Sequence, residues 1–215
     1  MIEGSFIVIE GIDGAGTTTQ TRRLCAWFAA RGLAALATHE PSAGPVGSLI
    51  RQVLTHRVVV PGAHGGRPPG WRTMAMLFAA DRLDHLEAEI LPNLMDGVTV
   101  VSDRYDLSSL AYQAATAEDP SVIPWLRELN RHARRPDLTI VLDVPASVAG
   151  ARVRKRAARQ ELYEDDALQS RLVDAYRGAE SLIPGDLLVH IDGSRAEETI
   201  AGDIVRAVKR LRGEA

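Results

Sequence analysis

The segment at residues 7–19 constrains the fold of this 215-residue chain more than any other. It opens with a short apolar run, continues through the glycine-rich turn GIDGAG, and ends in three consecutive threonines. The β-branched run is typical of a buried strand, and the glycines permit a tight turn into a helix. Backbone N–H groups at such a helix start bind phosphate oxygens. The segment therefore predicts a phosphate-binding loop between a strand and a helix, and with it an α/β fold.

One position of this loop departs from the pattern G-x-x-x-x-G-K-[ST], because Thr17 stands where the pattern has lysine. That lysine places a positive charge beside the transferred phosphoryl group, so its absence predicts intact nucleotide binding with catalysis that is either rearranged around another cation or reduced. Thr18 holds the position whose hydroxyl ligates Mg²⁺. The expected nucleotide-binding residues are Gly11, Gly14, Ala15, Gly16, Thr17, Thr18 and Thr19.

Composition narrows the class of protein. A chain with 46% hydrophobic residues can bury one core, and the net charge of -3 gives no general attraction to nucleic acid. The lone Cys25 cannot form an intrachain disulfide, and no apolar run approaches the roughly 20 residues that cross a bilayer. We expect a cytoplasmic protein without nucleic-acid or membrane partners.

Short β-branched runs alternate with longer amphipathic segments along the chain. Strands are predicted at residues 6–9, 33–38, 98–102, 138–143 and 187–191, and helices at 18–30, 45–54, 73–94, 121–132, 147–159, 167–182 and 196–211. This alternation predicts a doubly wound, five-stranded parallel sheet flanked by helices. One domain should span residues 1–215.

Two segments interrupt this alternation. Residues 58–71 are rich in proline and glycine and should form an irregular surface loop. Residues 152–166 carry a basic block followed by an acidic one, which suits a lid that closes over an anion, although a solvated helix face explains the same charges. Arg154, Arg156 and Arg159 are the candidate catalytic cations that would replace the missing lysine.

Five motifs between residues 6 and 191 resemble those of thymidylate kinases of the bacterial type, and they occur in the same order as in that family. They are IEGIDGAG at 9–16, EP at 40–41 with GSLIR at 47–51, LFAADR at 77–82, SDRY at 102–105 with SSLAYQ at 108–113, and RPDLTIVLD at 135–143. The resemblance implies a P-loop nucleoside monophosphate kinase fold with a lid at about residues 152–166. It also implies transfer of the γ-phosphoryl group of ATP to dTMP with Mg²⁺, and a homodimer.

The resemblance further implies roles for individual residues. Phe78 would stack on thymine, Arg82 would donate to its carbonyl, and Tyr112 would crowd the sugar 2′ position. Arg104 and Arg51 would hold the acceptor phosphate. Further contacts to the acceptor are implied for Asp13, Glu40, Ser109 and Gln113. Asp13 and Arg104 would also act in catalysis. Thr18 and Asp103 would bind the metal.

Two departures from the family pattern keep other functions open. The motif Gly-Gly-Thr after Glu-Pro is replaced by Ser42-Ala43-Gly44, and Leu162 stands where the lid usually has arginine. An active thymidylate kinase with a rearranged set of cations is the leading interpretation. The alternatives are a nucleotide-binding pseudoenzyme or regulatory module without turnover, and a kinase for another (deoxy)nucleoside monophosphate.

Overall fold

A computed structural model describes residues 3–62, 65–156 and 166–214. Five parallel strands form one sheet: β1 (Phe6–Glu10), β2 (Ala35–His39), β3 (Thr99–Asp103), β4 (Leu138–Asp143) and β5 (Leu188–Asp192). Their order across the sheet is β2-β3-β1-β4-β5. The predicted five-stranded parallel α/β fold is therefore confirmed.

Helices follow the strands along the chain. The α-helices are α1 (Thr17–Ala29), α2 (Pro45–Leu54), α3 (Trp71–His85), α4 (Leu91–Met95), α5 (Asp106–Ala117), α6 (Ile123–Leu129), α7 (Ala146–Arg156), α8 (Asp166–Arg177), α9 (Ala179–Leu182) and α10 (Glu197–Leu211). A π-helical turn, Leu86–Ile90, joins α3 to α4, and a 3-10 turn, Pro120–Val122, precedes α6. Within the described residues, no helix combines the length and the apolar composition needed to span a membrane.

The central strand β1 explains why helices cover both faces of the sheet. Neighbouring side chains of a strand point to opposite faces. Ile7 and Ile9 accordingly join the apolar cluster that includes the buried side chains of α1 and α10. Phe6 and Val8 join a second cluster, built with the π-helical turn and α4. The four apolar residues of β1, at positions 6–9, are thus buried on both faces of the sheet.

Two predicted helices differ from the structure, and one observed helix was not predicted. The helix predicted at 73–94 begins at Trp71, which the sequence assigned to the loop, and the π-helical turn interrupts it. The helix predicted at 167–182 is divided at Gly178. The helix α5 was not predicted, although Leu107, Leu110 and Ala111 recur at helical spacing and are buried.

The topology brings three chain segments to the carboxyl edge of the sheet. The glycine-rich turn follows β1, residues 40–44 follow β2, and Arg104 follows β3. Ligands of open α/β sheets bind at this edge. The predicted site residues therefore gather there from distant parts of the sequence.

Candidate active site

The glycine-rich turn has the geometry of an anion-binding loop. Gly14 and Gly16 adopt φ angles of 84° and 99°, a left-handed conformation that other residues rarely adopt. A Cβ atom on Gly14 would lie 2.4 Å from the carbonyl oxygen of Ala149 in α7. Helix α1 begins directly after this turn, at Thr17, and the first N–H groups of a helix have no partner within it. They remain available to phosphate oxygens.

The two predicted metal ligands lie in contact. The Thr18 hydroxyl donates to Asp103 Oδ2 at 2.5 Å, and Asp103 is 9% exposed. Its second oxygen, Oδ1, is buried and has no hydrogen-bond partner among the described residues. An unpartnered carboxylate oxygen beside a hydroxyl suits Mg²⁺, which prefers oxygen ligands. Both residues therefore fit the predicted metal site.

Arg104 turns its side chain toward the phosphate loop. Its φ of 73° lies in the left-handed region, which costs a residue with a Cβ about 1 kcal/mol. Its guanidinium donates to Asp13 Oδ1 at 2.6 Å and to Ser108 Oγ at 3.2 Å. Burial opposes its charge, but Tyr112 and Asp13 outweigh burial and raise the pKa of Arg104 well above its usual value. A fixed cation therefore stands between the loop and α5.

A cavity of about 140 Å³ opens beside Arg104. The predicted acceptor contacts that line it are Asp13, Glu40, Phe78, Arg82, Arg104, Ser109, Tyr112 and Gln113. Arg51 is the predicted contact that does not line it. Its guanidinium donates to the carbonyl oxygens of Pro41, at 2.9 Å, and Ser42, at 2.6 Å. Arg51 thus holds the turn after β2.

Arg82 is the largest fully buried side chain in this region and is 1% exposed. Its guanidinium donates to Glu40 Oε2 at 2.6 Å, to Ser109 Oγ at 3.0 Å, and to Asn130 Oδ1. These acceptors lie in three different parts of the chain and fix the plane of the guanidinium. Asn130 was not predicted, because nothing near residue 130 in the sequence indicates a contact with residue 82.

Gln113 presents a free amide to the cavity. The side chain is 0% exposed, yet neither its oxygen nor its nitrogen has a hydrogen-bond partner among the described residues. A buried amide offers two donors and an acceptor, and burying these groups without hydrogen bonds costs free energy. The arrangement therefore indicates a ligand that supplies both a donor and an acceptor.

Glu10 links the phosphate loop to helix α5. Its carboxylate accepts from the N–H groups of Tyr105 and Ser108, from the Ser108 hydroxyl, and from the Tyr176 hydroxyl. Burial raises the pKa of Glu10 to about 7, although Ser108 and Arg104 act in the opposite direction. Glu10 was not among the predicted site residues. Its place at the carboxyl end of a buried strand was the available signal for a larger role.

The altered motif at Ser42-Ala43-Gly44 has a structural explanation. Asp81, which is fully buried, accepts from the Ser42 N–H at 2.7 Å and from the Ser42 hydroxyl at 2.6 Å. The same hydroxyl accepts from the Gly44 N–H at 3.0 Å. The serine therefore ties the turn after β2 to α3. The sequence did not single out Asp81, because its partner lies 39 residues away.

The predicted lid arginines are only partly described. Arg154 is exposed and lies beside Gly150, one turn earlier in α7. The side chain of Arg156, and all of Arg159, lie outside the described residues, as does most of the segment that follows. Arg152 was not predicted as a catalytic or binding residue, but its guanidinium donates to the Gly193 oxygen at 3.0 Å and approaches the Gly14 and Ala15 oxygens at 3.4 Å. It ties α7 to the phosphate loop.

Comparison with known proteins identifies the family. The sequence model of the thymidylate kinase family matches residues 9–204. The chain belongs to the thymidylate kinase family. This confirms the resemblance read from the five motifs.

Individual members of the thymidylate kinase family match along nearly the whole chain. A probable thymidylate kinase of Thermococcus onnurineus is 41% identical over 208 residues, which cover 95% of this chain and 97% of the relative. A probable thymidylate kinase of Pyrococcus horikoshii is 38% identical over 208 residues, with 97% of each chain covered. A thymidylate kinase of Neisseria gonorrhoeae is 35% identical over 205 residues, with 94% and 95% covered. The similarity therefore extends over both sides of the site.

Proposed function

We propose that this protein transfers the γ-phosphoryl group of ATP to the phosphate of dTMP, giving dTDP and ADP. The relatives named thymidylate kinase support this activity, and they favour neither a pseudoenzyme nor a kinase for another nucleotide. The family uses ATP and Mg²⁺. Such a reaction requires a site for each nucleotide and a metal site beside the phosphates.

The unpartnered amide of Gln113 is the observation that carries the proposal. Thymine offers an N3–H donor next to a carbonyl acceptor, which together satisfy an amide oxygen and an amide nitrogen. Arg82 lines the same cavity and can only donate, so it requires a carbonyl where cytosine has an amino group. A thymine base satisfies both side chains.

The acceptor phosphate would lie at Arg104. This guanidinium is partly buried and already paired with Asp13, so a phosphate that reaches it enters a site of fixed charge. Phe78 would cover the face of the base, and Tyr112 would lie against the sugar. Glu40 and Ser109 would act by holding Arg82 in place.

The donor triphosphate would lie on the N–H groups of residues 11–19. Thr18 and Asp103 would hold Mg²⁺, which when bound neutralises charge on the phosphate oxygens. Thr17 is 6% exposed and supplies no charge to the phosphates. We propose that an arginine of the segment at residues 152–166 supplies the missing cation, and that this segment acts as a lid within a single domain.

A coupled assay of ADP release tests the activity. The protein is incubated with ATP, Mg²⁺ and each member of a panel of nucleoside monophosphates, and dTMP binding is measured separately by calorimetry. Turnover restricted to dTMP supports the proposal. Binding of dTMP without turnover would identify a pseudoenzyme, and preference for another monophosphate would change the assigned substrate.

We also propose that the protein is cytoplasmic, as its composition indicates, and that it forms a homodimer, as the family resemblance implies. Leu49 on α2 and Met76 and Leu83 on α3 are large apolar side chains that are exposed in the single chain. These two helices also pack against each other through a small apolar cluster. Sedimentation equilibrium would detect the dimer, and a monomeric mass at micromolar concentration would contradict it.

A further inference from the structure

A buried histidine lies behind the acceptor cavity, one helical turn after Arg82. His85 is 3% exposed and is not among the residues that line the cavity. Its Nδ1 atom lies 3.4 Å from Glu40 Oε1, and its Nε2 atom lies 3.0 Å from Glu89 Oε2. The hydroxyl of Thr38 lies 2.7 Å from Nε2. Two carboxylates therefore flank the imidazole.

The contacts of the ring define its protonation state. Thr38 donates its hydroxyl to Glu89 at 2.5 Å, so the hydroxyl oxygen can only accept from His85. Both ring nitrogens thus face acceptors, whereas a neutral imidazole carries a single N–H. Only the imidazolium form donates from both nitrogens. Burial alone would lower the pKa of His85, but Glu40 and Glu89 outweigh burial and raise it.

Glu40 connects this histidine to the base-binding part of the cavity. One oxygen of its buried carboxylate faces His85, and the other accepts from Arg82 at 2.6 Å. Two further charged groups act on these residues: Glu89 on the π-helical turn faces His85, and Asp106 on α5 acts on Arg82. A neutral His85 keeps one N–H, and the shorter contacts of Nε2 with Thr38 and Glu89 favour keeping it on that atom. Glu40 then keeps Arg82 as its cationic partner and loses a donor on the opposite side. The carboxylate and the guanidinium it holds are then free to shift together.

We propose that His85 is a positioning residue for the acceptor base: its imidazolium form fixes Glu40, and Glu40 fixes Arg82 in the cavity. The inference rests on the proposed function, because it assigns to Arg82 the recognition of the base carbonyl. Affinity for dTMP falls as His85 loses its proton, while affinity for ATP stays the same. The histidine touches neither substrate.

Calorimetric titration of dTMP between pH 6 and 9 tests this role, with thymidine as a second probe because it has no phosphate to titrate. For the unmodified protein, affinity should fall about tenfold across one step as pH rises, since a hydrogen bond to a charged group is lost. The His85→Gln variant should bind dTMP weakly at every pH, and its affinity should show no such fall as pH rises. Glu89→Gln should move the step to lower pH, because removing that carboxylate lowers the pKa of His85.

The position of the step separates a positioning role from a structural one. A histidine that only packs would weaken binding in His85→Gln, but the step would stay where it was in Glu89→Gln. Glu89 has a half-exposed side chain, so that variant keeps the core intact. His190→Gln is the matched control, because His190 also faces two carboxylates, Asp143 and Glu180, outside the cavity. It should leave the profile unchanged.

The same experiment distinguishes the two proposals. If the unmodified protein binds neither dTMP nor thymidine at any pH, the proposed function fails, and this inference fails with it. If binding occurs and His85→Gln retains the step, or Glu89→Gln does not move it, the inference on His85 alone is overturned.

Discussion

The proposed acceptor side and donor side of the site differ in the positive charges that they present. On the acceptor side, Arg82 and Arg104 are each paired with a carboxylate inside the fold, and both guanidinium groups are fixed by several acceptors. On the donor side, the position of the usual lysine is occupied by Thr17, which brings no charge. Arg152 approaches the phosphate loop from α7, but its contacts are backbone oxygens of the loop.

This difference indicates which part of the activity depends on which part of the chain. Most of the proposed acceptor contacts are side chains buried at the carboxyl edge of the sheet. The charge that assists phosphoryl transfer has to come from elsewhere, and the sequence places the available arginines at residues 154–159. Variants on the two sides should therefore affect binding and turnover differently.

The largest effect is expected for Arg104→Ala. Removing a fixed, partly buried cation from the acceptor phosphate should lower kcat/KM for dTMP by about 10³, because a charge-assisted contact is lost in a site with little water. Steady-state kinetics measures this loss. Arg171→Ala is the control, since Arg171 forms an ion pair with Glu118 outside the cavity. Equal activity of Arg104→Ala and the control would remove Arg104 from the mechanism.

On the donor side, Arg159→Ala should lower kcat by about 10², the usual cost of losing one electrostatic contact to the transferred group. Thr17→Lys should raise kcat of the unmodified chain and should restore most of the activity lost in Arg159→Ala. Thr17→Met is the control for side-chain length without charge. If Thr17→Lys lowers the rate and Arg159→Ala leaves it unchanged, the proposed replacement of the lysine is wrong.

For the base, Gln113→Leu should weaken dTMP binding by roughly 30-fold, because the donor and acceptor of the buried amide are lost together. Methylation of N3 in the ligand removes the thymine donor and should weaken binding to the unmodified protein. That penalty should be much smaller in Gln113→Leu. Equal penalties in both proteins would show that the amide does not contact this edge of the base.

The smallest effect concerns stability and Glu10. Because burial raises the pKa of Glu10 from 4.5 to about 7, the folded state binds the proton more tightly than the unfolded state does. Stability from this group is full below pH 4.5 and is lost as pH rises through 7. The free energy of unfolding should fall by about 1 kcal/mol per pH unit between pH 5.5 and 6.5. Urea titrations of the unmodified protein and Glu10→Gln measure it, and parallel pH dependences would contradict it.

Apolar periodicity and turn residues predicted the elements whose conformation is determined by residues a few positions apart. The strand and glycine turn at residues 7–16 and the helix Pro45–Leu54 are recognisable because apolar periodicity and turn residues act within a few positions. The division of residues 167–182 falls at Gly178, a poor helix former, so a local signal for it was present in the sequence. Helix α5 was not predicted, although the motif SSLAYQ at residues 108–113, which lies within it, had been recognised.

Within the site, the motifs located side chains but did not reveal what holds them. Eight of the predicted acceptor contacts line one cavity. Asn130, Asp81 and Glu10 were not predicted in their observed roles, because their partners lie 39 to 166 residues away in the sequence. Such pairings arise only when the sheet brings distant segments together. Arg51 shows the converse, since a motif position implied a phosphate contact where the side chain binds backbone oxygens.

The contact between Gly14 and Ala149 has a mechanical consequence. The backbone of the turn lies so close to α7 that not even a methyl group fits between them. A tilt of this helix must therefore push the turn and displace the N–H groups that we propose bind the nucleotide. Movement of α7 would then reach the proposed triphosphate site through this backbone contact and through the Arg152 side chain, which also joins α7 to the turn.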